Sequence, residues 1–228
     1  DASQCARSAG AARDLAGYIS LLAGPGAALS GQSSTLGMRL GGTPRFAASM
    51  RASGVSVVVP DLSDGVGVAE RSDFVPAAEA LLALGVFDGF SVLPTVGGLL
   101  SLDLVGSGSF LFFPDVGFGG RLAVVSVGAR VGLLRESFTL PAVTVSIMRR
   151  FAGELTLEST QGTAFSWVDV DPTVTSLRAT VGKDLFAFGI MAGVGWDGFS
   201  SLTTVRTSVG PPLIVTGAVD SSRRTYFG

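Results

Sequence analysis

Histidine and asparagine are absent from this 228-residue chain, and cysteine and lysine occur once each, as Cys5 and Lys183. Without histidine, Ser-His-Asp catalysis, Cys-His catalysis and imidazole ligation of zinc are excluded. A single cysteine excludes an internal disulfide framework. Residues 193–198 spell GxGxxG, but the first two glycines fall inside an alternating strand pattern, whereas a dinucleotide site needs them in a strand-to-helix turn. We therefore expect no enzyme activity, no cofactor and no metal.

Charge is also scarce, since 15% of the residues are charged while 47% are hydrophobic and the mean hydropathy is +0.52. Average soluble domains carry roughly 25% charged residues, so part of this surface is expected to face something other than water. The net charge of −2 offers no basic field for nucleic acid. No apolar run approaches the ~18 to 20 residues of a transmembrane helix. A closed β-barrel is then the way to span lipid with every backbone group paired.

The clearest pattern in the chain lies in residues 122–150. Apolar side chains recur at every second position on both sides of a break at residues 135–137, which predicts a long β-hairpin. Each arm has about ten residues, the length of a strand that crosses a bilayer. Apolar and polar residues alternate in soluble hairpins as well, so the case for a membrane-crossing strand depends on whether the pattern recurs elsewhere in the chain. The apolar positions are Val125, Val127, Ala129, Val131 and Leu133 in the first arm and Val143, Val145 and Ile147 in the second.

Residues 177–196 repeat the pattern. A predicted tight turn, Gly182-Lys183-Asp184, separates two alternating arms, and Gly182 or Asp184 would adopt the left-handed geometry of such turns. In the second arm, six apolar side chains oppose four small residues and a methionine, which predicts a lipid-facing surface. Trp196 ends this row, where an interfacial aromatic is expected. The six are Phe186, Phe188, Ile190, Ala192, Val194 and Trp196.

The predicted organisation is an N-terminal helical plug or cap over residues 1–26, followed by a β-barrel over residues 27–228. Strands are expected at residues 34–40 and 45–52. A helical insertion around residues 62–90 would contain a short apolar helix from Val75 to Leu84. The fold class is therefore all-β, an antiparallel up-and-down transmembrane-type β-barrel of about 10–12 strands with an N-terminal helix. Because the chain opens on Asp1 without an apolar signal segment, we expect a mature, exported protein.

Two segments resemble an outer-membrane β-barrel of Gram-negative bacteria. They are VVSVGARVGLLRESFTLPAVTVSIMRR and LRATVGKDLFAFGIMAGVGWD, together about a fifth of the chain. The helix predicted before the first strand is loosely similar to the long-chain fatty-acid transporter family, whose N-terminal segment plugs the barrel. The resemblance implies an outer-membrane location. One departure is that Gly228 follows Tyr226 and Phe227, whereas such barrels typically finish on a terminal aromatic residue.

A set of arginines forms the candidate ligand-binding site. If the apolar faces point outward, these arginines point inward from four strands, because a guanidinium in lipid near the midplane would cost about 2 to 4 kcal/mol. One interpretation is that they pair with acidic residues of the insertion or the helix and hold a plug. The other is that they line an anion-selective lumen or bind an acidic head group. The set is Arg39, Arg45, Arg51, Arg130 and Arg178.

Two functions remain open at this point. The first is an outer-membrane β-barrel for passage or binding of a small solute, amphipathic or anionic, with membrane lipid or detergent as its partner. The second is an extracellular structural protein that self-assembles into a tube, fibre or coat, as a homo-oligomer or filament, through an apolar β surface. Both need an apolar outer face, so composition does not separate them.

Overall fold

The computed structural model describes residues 34–37, 43–60, 70–91, 99–113, 120–138, 140–153, 155–161, 164–185, 188–207 and 213–227. The helix predicted for residues 1–26 lies outside these ranges. The described residues form one antiparallel sheet, and they include no helix long and apolar enough to cross a membrane. The strands are β1 (Arg45–Pro60), β2 (Glu70–Phe87), β3 (Ser101–Phe113), β4 (Gly120–Leu134), β5 (Ala142–Ala152), β6 (Leu155–Gln161), β7 (Ala164–Leu185), β8 (Phe188–Thr207) and β9 (Leu213–Phe227).

The prediction of an all-β, antiparallel up-and-down fold is confirmed. Within the described ranges there are nine strands instead of the predicted ten to twelve. The strands follow one another across the sheet in the order β1-β2-β3-β4-β5-β7-β8-β9, and β6 pairs with β7 beside β5. The sheet is not closed, so β1 and β9 are its two edges.

Strands β5 and β6 share one place in the sheet. Phe151 near the end of β5 pairs with Thr173, and Leu155 at the start of β6 pairs with Val170 on the same strand β7. They are therefore two halves of one interrupted strand, and the sheet has eight positions. Because neighbouring strands are antiparallel throughout, β1 and β9 run in opposite directions.

Strand β2 replaces the short helix that was predicted from Val75 to Leu84, so the helical insertion is wrong for residues 70–87. Alanine, leucine and glutamate favour a helix when the segment is isolated. In the sheet, however, side chains alternate between a buried face with Val75, Glu79 and Leu81 and an exposed face with Leu82. Burial of one face therefore overrides local propensity.

Two prolines lie inside strands, at places where no backbone N–H is needed. The pairing of β2 with β3 begins at Ala77, the residue after Pro76. Pro172 lies opposite the gap between β5 and β6, next to Thr173. Proline is tolerated in a strand where the ladder is interrupted, which explains why neither residue ends its strand.

The turn predicted at Gly182-Lys183-Asp184 is wrong in position. Strand β7 continues through these residues, and its pairing with β8 ends at Leu185 and Phe188. Lys183 instead ties the β4–β5 connection to β7, because its Nζ donates hydrogen bonds to the carbonyl oxygens of Ser137 and Phe138, the second at 2.8 Å. Lys183, which suggested a turn, therefore binds the β4–β5 connection to the end of strand β7.

The two faces of the sheet have an inverted polarity, in the sense that large apolar side chains are exposed on the outward face while the buried charges lie among apolar residues such as Leu111 and Leu122 on the inward face. On the outward face Val127, Phe188 and Ile190 are more than half exposed, whereas on the inward face Arg130 and Arg178 are each 3% exposed. Val131 and Val145 lie on the outward face by register and are half-buried. The predicted inward and outward assignments of these strands are therefore confirmed.

The sheet curls around its polar face. Leu81 of β2, Val105 of β3 and Met148 of β5 form one buried cluster, although β2 and β5 are separated by two strands. Leu36, which precedes β1, packs against the same cluster. The inward side chains are thus shielded from solvent by each other and by residues 34–37.

Gly128 allows β4 and β5 to approach closely. A Cβ at this position would overlap the carbonyl oxygen of Ile147 and lie 2.6 Å from the Cγ of Met148. We expect Gly128→Ala to lower the free energy of unfolding by about 1 to 3 kcal/mol, as overpacking does. The measurement is urea unfolding in detergent. Gly108→Ala is the matched control, because a Cβ there meets no atom within 4 Å; an equal loss in both variants would contradict the close approach.

Candidate functional site: the charged inward face

Three ion pairs join neighbouring strands on the inward face. Arg130 of β4 and Asp103 of β3 are register partners, and Arg130 Nη2 lies 2.8 Å from Asp103 Oδ2. Arg130 Nε donates a second hydrogen bond to the same oxygen at 3.2 Å. Both side chains are buried. The result is a charged cross-link between β3 and β4.

A second group of charges lies on β5, β7 and β8. Arg178 Nη2 donates to both carboxylate oxygens of Asp197, at 2.7 and 2.8 Å. Ser176 donates to Asp197 Oδ1 at 2.6 Å and accepts a hydrogen bond from Arg150 Nη1. The stem of Arg178 lies over Gly195, where a Cβ would collide with it. Glycine in β8 thus provides the space for the arginine of β7.

The third pair, Arg51 and Glu79, joins β1 to β2. Glu79 is buried, whereas Arg51 is half-buried because β1 is an edge strand. Arg150 interacts electrostatically with both residues as well as with Asp197 and Arg178. The curl of the sheet therefore brings the two charged groups of its opposite halves within electrostatic range of one another.

Residues 34–37 lie against the inward face. The backbone N–H of Leu36 donates to Asp103 Oδ2 at 2.9 Å, and the hydroxyls of Thr35 and Ser101 share a hydrogen bond of 2.5 Å. Gly37 is close enough to Gly85 that a Cβ on Gly85 would overlap its carbonyl oxygen. The strand predicted at residues 34–40 is therefore wrong for residues 34–37, which occupy the concave side of the sheet.

The predicted arginine set is only partly brought together. Arg130 and Arg178 are buried in ion pairs, and Arg51 is half-buried beside Glu79. Arg45 is exposed at the start of β1, where Nη1 donates to the carbonyl oxygen of Leu36 at 3.4 Å. Arg39 lies outside the described residues. Glu79 belongs to residues 62–90, where acidic partners were expected, but it lies on strand β2 and not in a helical insertion. Asp103 and Asp197 lie outside these residues, on strands next to those of their arginines.

Sequence reasoning missed Arg150, which is 1% exposed and central to the inward face. The pair Arg149-Arg150 suggested the end of a strand. The alternation of β5 nevertheless continues to Ala152, and it places Arg149 outward and Arg150 inward. Extending the period-2 pattern past Met148 would have found this residue.

The buried charges of the described residues are balanced, with three arginines and three carboxylates. Such a network fixes the strands in one register, and breaking any pair leaves an uncompensated buried charge. Within the described ranges, no three potential His, Cys, Asp or Glu ligands cluster around a possible metal position. The buried charged residues are Glu79, Asp103, Arg130, Arg150, Arg178 and Asp197.

Comparison with known proteins gives no matching family, no similar curated protein and no similar solved structure. The class of protein is therefore defined by the fold itself. It is an all-β protein with an antiparallel up-and-down sheet, whose inward face buries ion pairs among apolar side chains and whose outward face exposes large apolar side chains.

Proposed function

We propose that the chain is an outer-membrane β-barrel protein of a Gram-negative bacterium that passes or binds a small solute. The observation that carries the proposal is the inverted polarity of the sheet. Water-facing surfaces rarely expose a large apolar patch while the interior holds ion pairs. Lipid on the outward face and polar groups on the inward face account for both features.

Exposed aromatic residues at the two ends of the strands support this assignment. Membrane barrels have an apolar band about 25 Å tall between two aromatic girdles. The row from Phe188 to Trp196 in β8 has nine residues, close to the ~9 to 11 of a membrane-crossing strand. The exposed aromatic residues are Phe46, Phe87, Phe90, Phe138 and Phe188 towards one end, Phe74, Phe110, Phe112, Phe151 and Trp196 towards the other, and Tyr226 between them, opposite Val194.

A barrel requires that β1 pair with β9, because unpaired backbone groups are too costly in lipid. The two edges run in opposite directions, as antiparallel closure needs. Eight positions would give an interior that side chains can fill, consistent with the packed ion pairs. Such a filled interior argues against a wide, open channel. It favours a solute that binds or passes by displacing residues 34–37.

The solute class follows from the inward charges. Three buried arginines and the partly buried Arg51 and Arg223, the register partner of Asp197, face three buried carboxylates, so these inward groups carry two excess positive charges. An anionic solute, or an amphipathic one with an acidic head group, would balance them. Arg51 and Arg223 are the most accessible arginines of this group, since they lie on the edge strands β1 and β9.

The alternative is an exported structural protein that assembles through its apolar face. The two edge strands favour it, because an unpaired edge is a template for another copy. In this case β1 of one molecule would pair with β9 of the next. The resulting tube or fibre would cover the outward face with protein instead of lipid.

Extraction from a membrane distinguishes the two functions. We expect the full chain to be monodisperse only in detergent, because its apolar outward face then has a substitute for lipid. Size-exclusion chromatography with light scattering, with and without detergent, measures this. Large ordered particles that form without detergent and dissolve only in denaturant would overturn the barrel and support the assembly.

A further inference from the structure

The outward face changes character at one level across β5, β7 and β8. In β5, Val145 and Ile147 are followed by Arg149 at the next outward position. In β7, the corresponding outward residue is Thr175, the register partner of Arg149. In β8, the outward residue at this level is Gly198, which follows Trp196. Arg149, Thr175 and Gly198 therefore interrupt the apolar outward rows of three neighbouring strand positions, whereas the partner of Arg149 on β4 is the apolar Val127.

Arg149 is an exposed cation at this level. Its guanidinium carbon lies 5.5 Å from the centroid of the Phe151 ring, a cation–π distance. Within the described ranges it forms no salt bridge, in contrast to the inward arginines Arg130 and Arg178. Its charge is therefore available to an external anion.

Trp196 borders the same place. Thr175 is paired with Gly198 on β8, and the Trp196 ring lies over Gly198, where a Cβ would collide with it. Arg149, Thr175 and the tryptophan ring thus occupy adjacent parts of the outward surface. Tryptophan prefers the level of lipid head groups, where its ring is apolar and its N–H can be hydrated.

We propose that Arg149, Thr175 and Trp196 form a contact site for the phosphate of an anionic lipid head group. The proposal rests on the membrane insertion proposed above. Arginine recognises phosphate through charge-assisted, often bidentate hydrogen bonds, and the Thr175 hydroxyl can donate one more. The positive charge complements the phosphate, while Trp196 contacts the adjoining acyl region. The site holds the protein at a fixed depth in an anionic leaflet.

The test uses the tryptophan fluorescence of the full chain in vesicles of brominated lipid. In a Trp167→Phe background, Trp196 reports which lipid contacts the site, because bromine quenches fluorescence only at close range. Vesicles contain brominated phosphatidylglycerol in unlabelled phosphatidylcholine, or the reverse. We expect phosphatidylglycerol to be preferred about fivefold, as one arginine near the surface implies, and Arg149→Gln to remove this preference. Arg135→Gln, which removes a charge at the opposite end of the strands, should retain it.

The outcomes separate the site from the proposed function. Quenching by both lipids with no preference, or a preference that survives Arg149→Gln, would overturn the lipid site while leaving membrane insertion intact. No quenching by either lipid would overturn insertion itself. Inorganic phosphate in solution should not reduce the preference for phosphatidylglycerol more than chloride of equal ionic strength does. A larger reduction would show that the ligand of the site is free phosphate and not lipid phosphate.

Discussion

Replacing Arg130 by leucine should lower the free energy of unfolding by about 3 to 5 kcal/mol and leave ion selectivity unchanged. The loss is expected because Asp103, which is fully buried, would keep its charge without its guanidinium partner. Selectivity should persist because the partner of Arg130 is a carboxylate of the protein and not a mobile ion. Urea unfolding in detergent micelles measures the stability, and planar-bilayer conductance measures the selectivity.

Two further variants make this expectation specific. Arg224→Leu removes an exposed arginine of the edge strand β9 and should change stability little. Arg130→Leu combined with Asp103→Leu should recover part of the loss, since replacing both members of a buried pair by apolar residues is often neutral. A single variant that keeps its stability but loses anion preference would contradict the structural role and assign Arg130 to the solute.

Replacing Ala192 by arginine should lower the free energy of unfolding in lipid by about 2 to 4 kcal/mol. Ala192 is exposed on the outward face of β8, at the centre of the row from Phe188 to Trp196. In the proposed barrel it lies near the bilayer midplane, where arginine is most costly. Equilibrium unfolding in lipid vesicles measures the effect.

Ser200→Arg provides the control on the same strand. Ser200 shares the outward face of β8 but lies beyond Trp196, where the proposed barrel leaves the apolar band. The cost there should fall to about 0 to 1 kcal/mol, as it does near the interface. Equal and small effects at both positions would contradict a lipid-facing row and favour a water-facing sheet.

The fold class could be predicted because the period-2 signal is strong in the strands with large outward residues. In β4 and β8, Val127 and Phe188 alternate with glycine or arginine, so a one-residue slip would bury or expose the wrong set. Strand β2 lacks this contrast, since alanine and leucine occupy both of its faces. Its strand conformation follows only from its pairing with β1 on one side and β3 on the other.

The sequence predicts which arginines of the candidate site point inward. It does not predict which carboxylates pair with them. Alternation alone places Arg130 and Arg178 inward, and the energy of a charge in lipid gives the same answer. Pairing Arg130 with Asp103 requires the register of β3 against β4, which depends on strand ends that the sequence leaves uncertain. The partner carboxylates were therefore assigned to a plug or an insertion, which is right in position only for Glu79, while Asp103 and Asp197 come from other neighbouring strands.

The up-and-down strand order also determines which contacts can form early during folding. Pairing joins strands that follow each other along the chain, or that are separated only by the short β6, so each hairpin can form from its own connection. The bonds from residues 35 and 36 to Ser101 and Asp103 instead close loops of 66 and 67 residues. Loop-closure entropy makes such contacts form late. We therefore expect hairpin formation to precede the docking of residues 34–37, so that the inward face is completed in the last step of folding.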